Sequence, residues 1–155
     1  MERFRIYIDT SVLGGCFDPE FAMWSNGLVR DFRAGRLVPV LSDLTAAEVR
    51  DAPDPVRDLH QELLLIAGSV LVLTPEVAAL AASYEARGIL PAKFQADMAH
   101  IALATLAEVD ALVSWNFKHI VRLDKIRLFN AVNAEMGHKA LNILSPREVT
   151  THEGH

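Results

Sequence analysis

The sequence predicts a single α/β domain, three layers deep, with helices on both faces of a central, mainly parallel sheet of about five strands. Short β-branched runs alternate with longer helical patterns along the chain. Strands joined through helices pair in parallel by right-handed crossovers. The strand candidates are apolar on both sides, as in sheets covered on both faces. The chain has 155 residues, 51% of them hydrophobic and 23% charged, which suits one core. One domain is expected over residues 1–149, followed by a tail at 150–155 that frays.

Each element has its own signal. Residues 3–8 read as a strand entering the core. Residues 19–34 read as a helix, with Asp18 as N-cap, Pro19 in the first turn and Gly35 as the stop. Residues 37–41 are a second strand and 45–51 a short helix. Asp54 and Pro55 open another helix, whose apolar stretch ends at Gly68. Residues 70–73 form a third strand. Thr74, Pro75 and Glu76 start a helix that ends near Gly88. Residues 94–107 are helical and 111–114 a fourth strand. Residues 124–136 form a helix stopped by Gly137, and 141–144 a fifth strand.

Composition narrows the function classes. Cys16 is the single cysteine, so neither an internal disulfide nor a thiolate zinc site is expected. No apolar run approaches the length needed to span a bilayer and no signal sequence precedes the first strand, which points to the cytoplasm. The net charge of −5 argues against a protein that coats nucleic acid nonspecifically. In doubly wound sheets ligands sit beyond the carboxyl ends of the strands, so the residues just after each strand matter most.

Asp9 follows directly on the first strand and precedes Thr10 and Ser11. It reads either as a helix N-cap or as a ligand at the sheet edge. After the second strand, Thr45 and Glu48 match a capping box, in which the glutamate reaches back to the cap. Glu48 can equally bind a cation. Asp97 lies near the start of a helix among apolar residues, where an unpaired carboxylate would be expensive without a cation or donors. His100, one turn on, reads as a hydrogen-bonding core histidine. The fourth strand leads to Asn116, whose amide can hold a metal, a water or the loop. Lys118, His119, Arg122, Lys125 and Arg127 follow, a basic segment suited to phosphate contacts or simply to a solvated face.

Three acids gathered at one edge impose a condition. Two carboxylates about 4 Å apart repel by ~4 kcal/mol at an effective dielectric near 20. Three ionised acids in one pocket require a cation or protonation. Oxygen donors without thiolates favour Mg²⁺ or Mn²⁺, and such ions serve phosphoryl chemistry.

These motifs resemble the PIN-domain family, particularly its VapC-like toxin ribonucleases. The resemblance runs from Ile6 to about Val149. Residues 7–12, with Asp9, look like the family's first acidic motif. Residues 44–49, with Glu48, look like the second, and 97–104, with Asp97, like the third. Residues 112–119 fall where the fourth lies. The resemblance implies a carboxylate cluster binding Mg²⁺ or Mn²⁺, with Asp9, Asp97 and Glu48 as metal ligands. It also implies endonucleolytic cleavage of RNA, homodimerisation and an antitoxin protein as partner. Asn116 departs from the pattern, since many members carry aspartate there. The loss of one charge favours a single ion, or a module that binds RNA or protein with weak catalysis. Asn116 and Ser11 are expected to assist at the site, and Lys118, His119 and Arg122 to hold RNA. A phosphatase with Asp9 as covalent nucleophile is the other enzyme alternative.

Overall fold

A computed structural model describes residues 3–150. The elements follow in the order β1 (Arg5–Ile8), α1 (Thr10–Gly15), α2 (Ala22–Arg33), β2 (Val38–Ser42), α3 (Asp43–Val49), α4 (Asp54–Ile66), β3 (Ser69–Leu71), α5 (Pro75–Ala86), α6 (Gln95–Leu106), β4 (Ala111–Val113), α7 (Leu123–Glu135), β5 (Ile143–Leu144) and α8 (Pro146–Val149). A 3₁₀ turn at Ala92–Phe94 leads into α6.

The five strands lie in the order β3-β2-β1-β4-β5, and every pairing is parallel. The chain therefore winds outward from β1 to β3 on one side, then crosses back to add β4 on the other. The β1/β4 boundary is where the strand order reverses.

Alternation along the strands builds two cores. Tyr7, Val40 and Leu112 face one side, where they meet Leu80 and Tyr84 of α5, Met98 and Ile101 of α6, and Phe129 of α7. Ile6, Ile8, Leu41 and Val113 face the other, against Val12, Leu28, Phe32, Leu59 and Leu63 from α1, α2 and α4. The expected three-layer α/β/α arrangement is thus present.

Boundaries differ from expectation for identifiable reasons. Gly35, Gly88 and Gly137 all have positive φ, of 75°, 72° and 82°, and end the three helices as glycine allows. Gly68 works differently: a Cβ there would come within 2.4 Å of Val38 Cγ1, so its value is the close approach of α4's exit to β2. The helix expected from residue 19 starts at Ala22 instead. Asp18 caps a preceding turn, accepting from Glu20 N at 2.9 Å. The short α1 and α8 were not expected. Thr150, placed by the sequence reading in a frayed tail, donates its hydroxyl to buried Asp31 at 3.0 Å; the remainder of that tail, residues 151–155, lies outside the described residues.

Candidate functional site

Asp9 occupies the N-cap position of α1, but its side chain makes no cap hydrogen bond. Instead Oδ1 accepts from Ser11 Oγ at 2.6 Å and Oδ2 from Ser114 Oγ at 2.7 Å. The carboxyl group, only 5% exposed, is thereby held in the cleft between β1 and β4. Ser11 also accepts from the backbone N–H of Trp115 at 2.9 Å, which fixes the start of the loop after β4. Burial pushes the Asp9 carboxyl above the ordinary carboxylate range. The charge of His100 and the two serine hydroxyls oppose that rise, while Glu48 adds to it.

Glu48 is not part of a capping box. Helix α3 begins two residues before Thr45, with Ser42 as N-cap accepting from Thr45 N at 3.2 Å. Freed from that duty, Glu48 Oε1 accepts from Thr10 Oγ1 at 2.5 Å and meets His100 Nε2 at 2.8 Å. Burial would raise its pKa, but the hydrogen bond and charge of His100, with the Thr10 hydroxyl, hold it below the usual value. An ionised Glu48 can only accept, so His100 Nε2 is the donor of this bond. His100 Nδ1 lies 2.6 Å from the Tyr7 hydroxyl, which in turn lies 2.8 Å from Ser42 Oγ. His100 is a hydrogen-bonding core histidine, as expected, and it also orients an acid.

Asp97 stands in the first turn of α6. Its Oδ1 accepts from Asn116 Nδ2 at 3.3 Å, and its Oδ2 lies 3.1 Å from His119 Nδ1. Asn116 is doubly used, since its Oδ1 also accepts from the backbone of His119 at 3.0 Å. The His119 ring rests on Phe94, with centroids 3.9 Å apart. Ser114 closes the circuit: its hydroxyl donates to Asp9 and accepts from Asn116 N at 2.9 Å.

A chain of hydrogen bonds therefore links Asp9 to Asp97 through Ser114 and Asn116. The Glu48 unit stands beside it on Thr10 and His100. Among the described residues, no lysine or arginine forms an ion pair with any of the three acids; Glu48 and Asp97 instead meet the imidazoles of His100 and His119. The described residues contain no ready-made cluster of three His, Cys, Asp or Glu ligands. The basic segment divides. Lys118 is exposed, whereas Arg122 already pairs with Asp124 at 2.8 Å and Lys125 donates to the Ile89 carbonyl at 2.8 Å.

A scan against protein-family models finds no match, and a search of curated proteins finds none either. Solved structures do match. FitAcB from Neisseria gonorrhoeae superposes with a TM-score of 0.60 at 19% identity, over 93% of this chain and 99% of that one. FitAB bound to IR36 DNA gives 0.59 at 19% identity, over 96% and 99%. VapBC2 from Rickettsia felis, bound to a promoter DNA fragment, gives 0.58 at 10% identity, over 91% and 98%. The chain has a PIN-like fold of the VapC type.

Within this PIN-like fold, the switch between β1 and β4 brings Asp9 and Ser11 next to Ser114 and Asn116. Four contributors were missed from the sequence as site residues: Tyr7, Thr10, Ser42 and Ser114. Tyr7 and Ser114 read as strand residues and Ser42 as the residue just past a strand, and a hydroxyl at a strand end gives no signal of its own. Among the described residues, no helix is long and apolar enough to cross a membrane.

Proposed function

We propose that this chain is a divalent-metal-dependent endoribonuclease that hydrolyses RNA phosphodiester bonds, acting in the cytoplasm as the toxin of a toxin–antitoxin pair. The observation that carries the reading is the hydrogen-bonded path from Asp9 through Ser114 and Asn116 to Asp97, with Glu48 near enough to raise the Asp9 carboxyl further and no lysine or arginine ion-paired with any of the three. The PIN-like fold and the end-to-end match to FitAB and VapBC2 support the toxin assignment and an antitoxin protein partner; a homodimer belongs to the same proposal.

The residues fit a Mg²⁺ or Mn²⁺ ion. Asp9 is a buried carboxyl whose partners are neutral hydroxyls, and such a group is stabilised in its ionised form by a nearby cation. The donors are all hard oxygens. Mg²⁺ keeps much of its water and takes only one or two carboxylates directly, so Asp9 and Asp97 would suffice as its protein ligands. When bound, the ion supplies activation of a water and neutralisation of charge on the phosphate.

The chain's own residues do the rest. Asp9 and Asp97 offer the direct carboxylate oxygens. Glu48, anchored through Oε1 by Thr10 and His100, would offer Oε2 to the ion or to the attacking water. Ser11 and Ser114 hold Asp9 in register, and Asn116 positions Asp97 with its amide. Lys118 and His119 border the site and hold the RNA backbone; Arg122 contributes after sharing its charge with Asp124.

The deciding experiment pairs Mn²⁺ titration calorimetry with cleavage of a mixed single-stranded RNA pool. The wild type is expected to bind Mn²⁺ and cut. Asp9→Asn and Asp97→Asn are expected to lose both while keeping the circular dichroism spectrum. Wild-type metal binding with no cleavage of any RNA would replace this reading with that of a binding module, which the neutral Asn116 favours.

A further inference from the structure

Beside the acidic site lies an aromatic cleft that the proposed chemistry does not use. Its volume is about 130 Å³, and Glu20, Phe21, Trp24, Trp115, Phe117 and Arg147 line it. Phe21 stacks on Trp115 with centroids 4.2 Å apart at 21°, and Phe117 meets Trp115 edge-on at 6.1 Å. Arg147 from α8 lies over the Trp24 ring, 5.6 Å from its centroid.

The scaffold behind these rings is rigid. Trp115 Nε1 donates to Ser25 Oγ at 2.8 Å, and Ser25 in turn donates to the Val12 carbonyl at 3.0 Å. Phe117 is different: the residue is 48% exposed, although it stands one position beyond Asn116. Phe117 therefore touches the wall through Trp115 while leaving about half of its surface open to a ligand.

The geometry points to this cleft as a stacking slot for one unpaired base of the RNA, next to the phosphate under attack. The inference rests on the nuclease reading. Its position supports it, since Trp115 N is bonded to Ser11 and Asn116 to Asp97, so the cleft and the acids share one loop. Charge supports it as well. Glu20 on the rim repels a phosphate, while exposed Lys118 lies just beyond Phe117 and suits the backbone. A base face stacks on aromatic rings and on an arginine plane regardless of its identity.

The test uses the chain's own reporters. Both of its tryptophans, Trp24 and Trp115, border the cleft. Intrinsic fluorescence is followed in EDTA, where cleavage is blocked, with three single-stranded probes of equal charge: octauridylate, octaadenylate and an abasic ribose-phosphate octamer. The two base-bearing probes are expected to quench emission, and the abasic one not. Phe117→Ala is expected to weaken the base-bearing probes about 5- to 150-fold, corresponding to ~1–3 kcal/mol per stacked base, and Phe117→Tyr to restore them. The exposure of Phe117 keeps both variants folded, which circular dichroism checks.

Equal affinity of Phe117→Ala, or equal quenching by the abasic probe, would overturn the slot. Cleavage of RNA by the wild type in Mn²⁺ without any quenching would overturn it too, and leave the nuclease reading intact. Base-dependent quenching in a protein that never cuts RNA would keep the slot and remove the nuclease.

Discussion

His100 Nε2 lies 2.8 Å from Glu48 Oε1, so a buried imidazole on α6 fixes an acid carried by α3. The other ring nitrogen takes the Tyr7 hydroxyl at 2.6 Å, which makes His100 the joint between the sheet and the site. Replacing it by alanine leaves Tyr7 with Ser42 alone and Glu48 with Thr10 alone. His100→Ala is expected to lose ~1–3 kcal/mol in urea unfolding, the usual effect of stranding buried polar partners. Its cleavage rate is expected to fall more than its substrate affinity, because Glu48 loses its orientation. An unchanged rate in a folded variant would make His100 purely structural.

Asn116 offers a second test. Asn116→Asp removes the N–H that donates to Asp97 Oδ1 at 3.3 Å and sets a like charge in its place. In EDTA the variant is expected to be less stable by ~1–2 kcal/mol, given the repulsion of near neighbours at an effective dielectric near 20. With Mn²⁺ the order reverses, and calorimetry should show tighter binding than in the wild type. A variant whose melting temperature and Mn²⁺ affinity both stay put would show that this position does not sense the site's charge.

His60 sets the acid limb of stability. It is 5% exposed on α4, and its Nε2 has no hydrogen-bond partner among the described residues. Burial lowers its pKa below the ordinary 6.5. Below that ordinary value the unfolded chain therefore binds a proton that the folded chain refuses, so stability rises with pH and falls as pH drops through 6.5 and below. His60→Leu is expected to flatten this limb and to add ~1 kcal/mol at neutral pH by removing an unsatisfied buried nitrogen. Thermal melts from pH 5 to pH 8 check it; parallel curves for wild type and variant would refute it.

Gly15 keeps α1 against the loop after β4. A Cβ there would stand 2.6 Å from both Ser25 Oγ and Trp115 Nε1. Both atoms belong to the bond that anchors Trp115, so neither can yield cheaply. Gly15→Ala is expected to destabilise the fold by ~1–3 kcal/mol, the usual range for overpacking, and to shift tryptophan emission to the red. Retained stability and emission would mean that α1 can move without disturbing Trp115.

The layer structure was legible because alternation and helix stops are local signals. Gly35, Gly88 and Gly137 mark their helix ends in the sequence and do so in the structure. The short helices were not. Helix α1 reads TSVLGG, two glycines and two β-branched residues in six, and only packing of Val12 and Leu13 into the core makes it helical. For α8 the signal exists: Ser145, Pro146 and Glu148 spell a capping box, which the structure forms. Of the site, the acids and Asn116 stand out because carboxylates and amides beside apolar strands need partners. The partners do not stand out. Ser114 is 105 residues from the Asp9 it serves, and nothing local announces such a bond. Glu48 shows the converse hazard, since a capping-box spacing concealed a residue bonded to Thr10 and His100.

Placing the first strand in the middle of the sheet has a consequence for the ribosome. The Asp9 pocket closes only when β4 docks on β1, after most of the polypeptide has left the exit tunnel. Until then the emerging chain carries its first two acids without the serine and asparagine that complete their surroundings. The pocket is thus a late product of synthesis, complete only once residues 111–116 are in place.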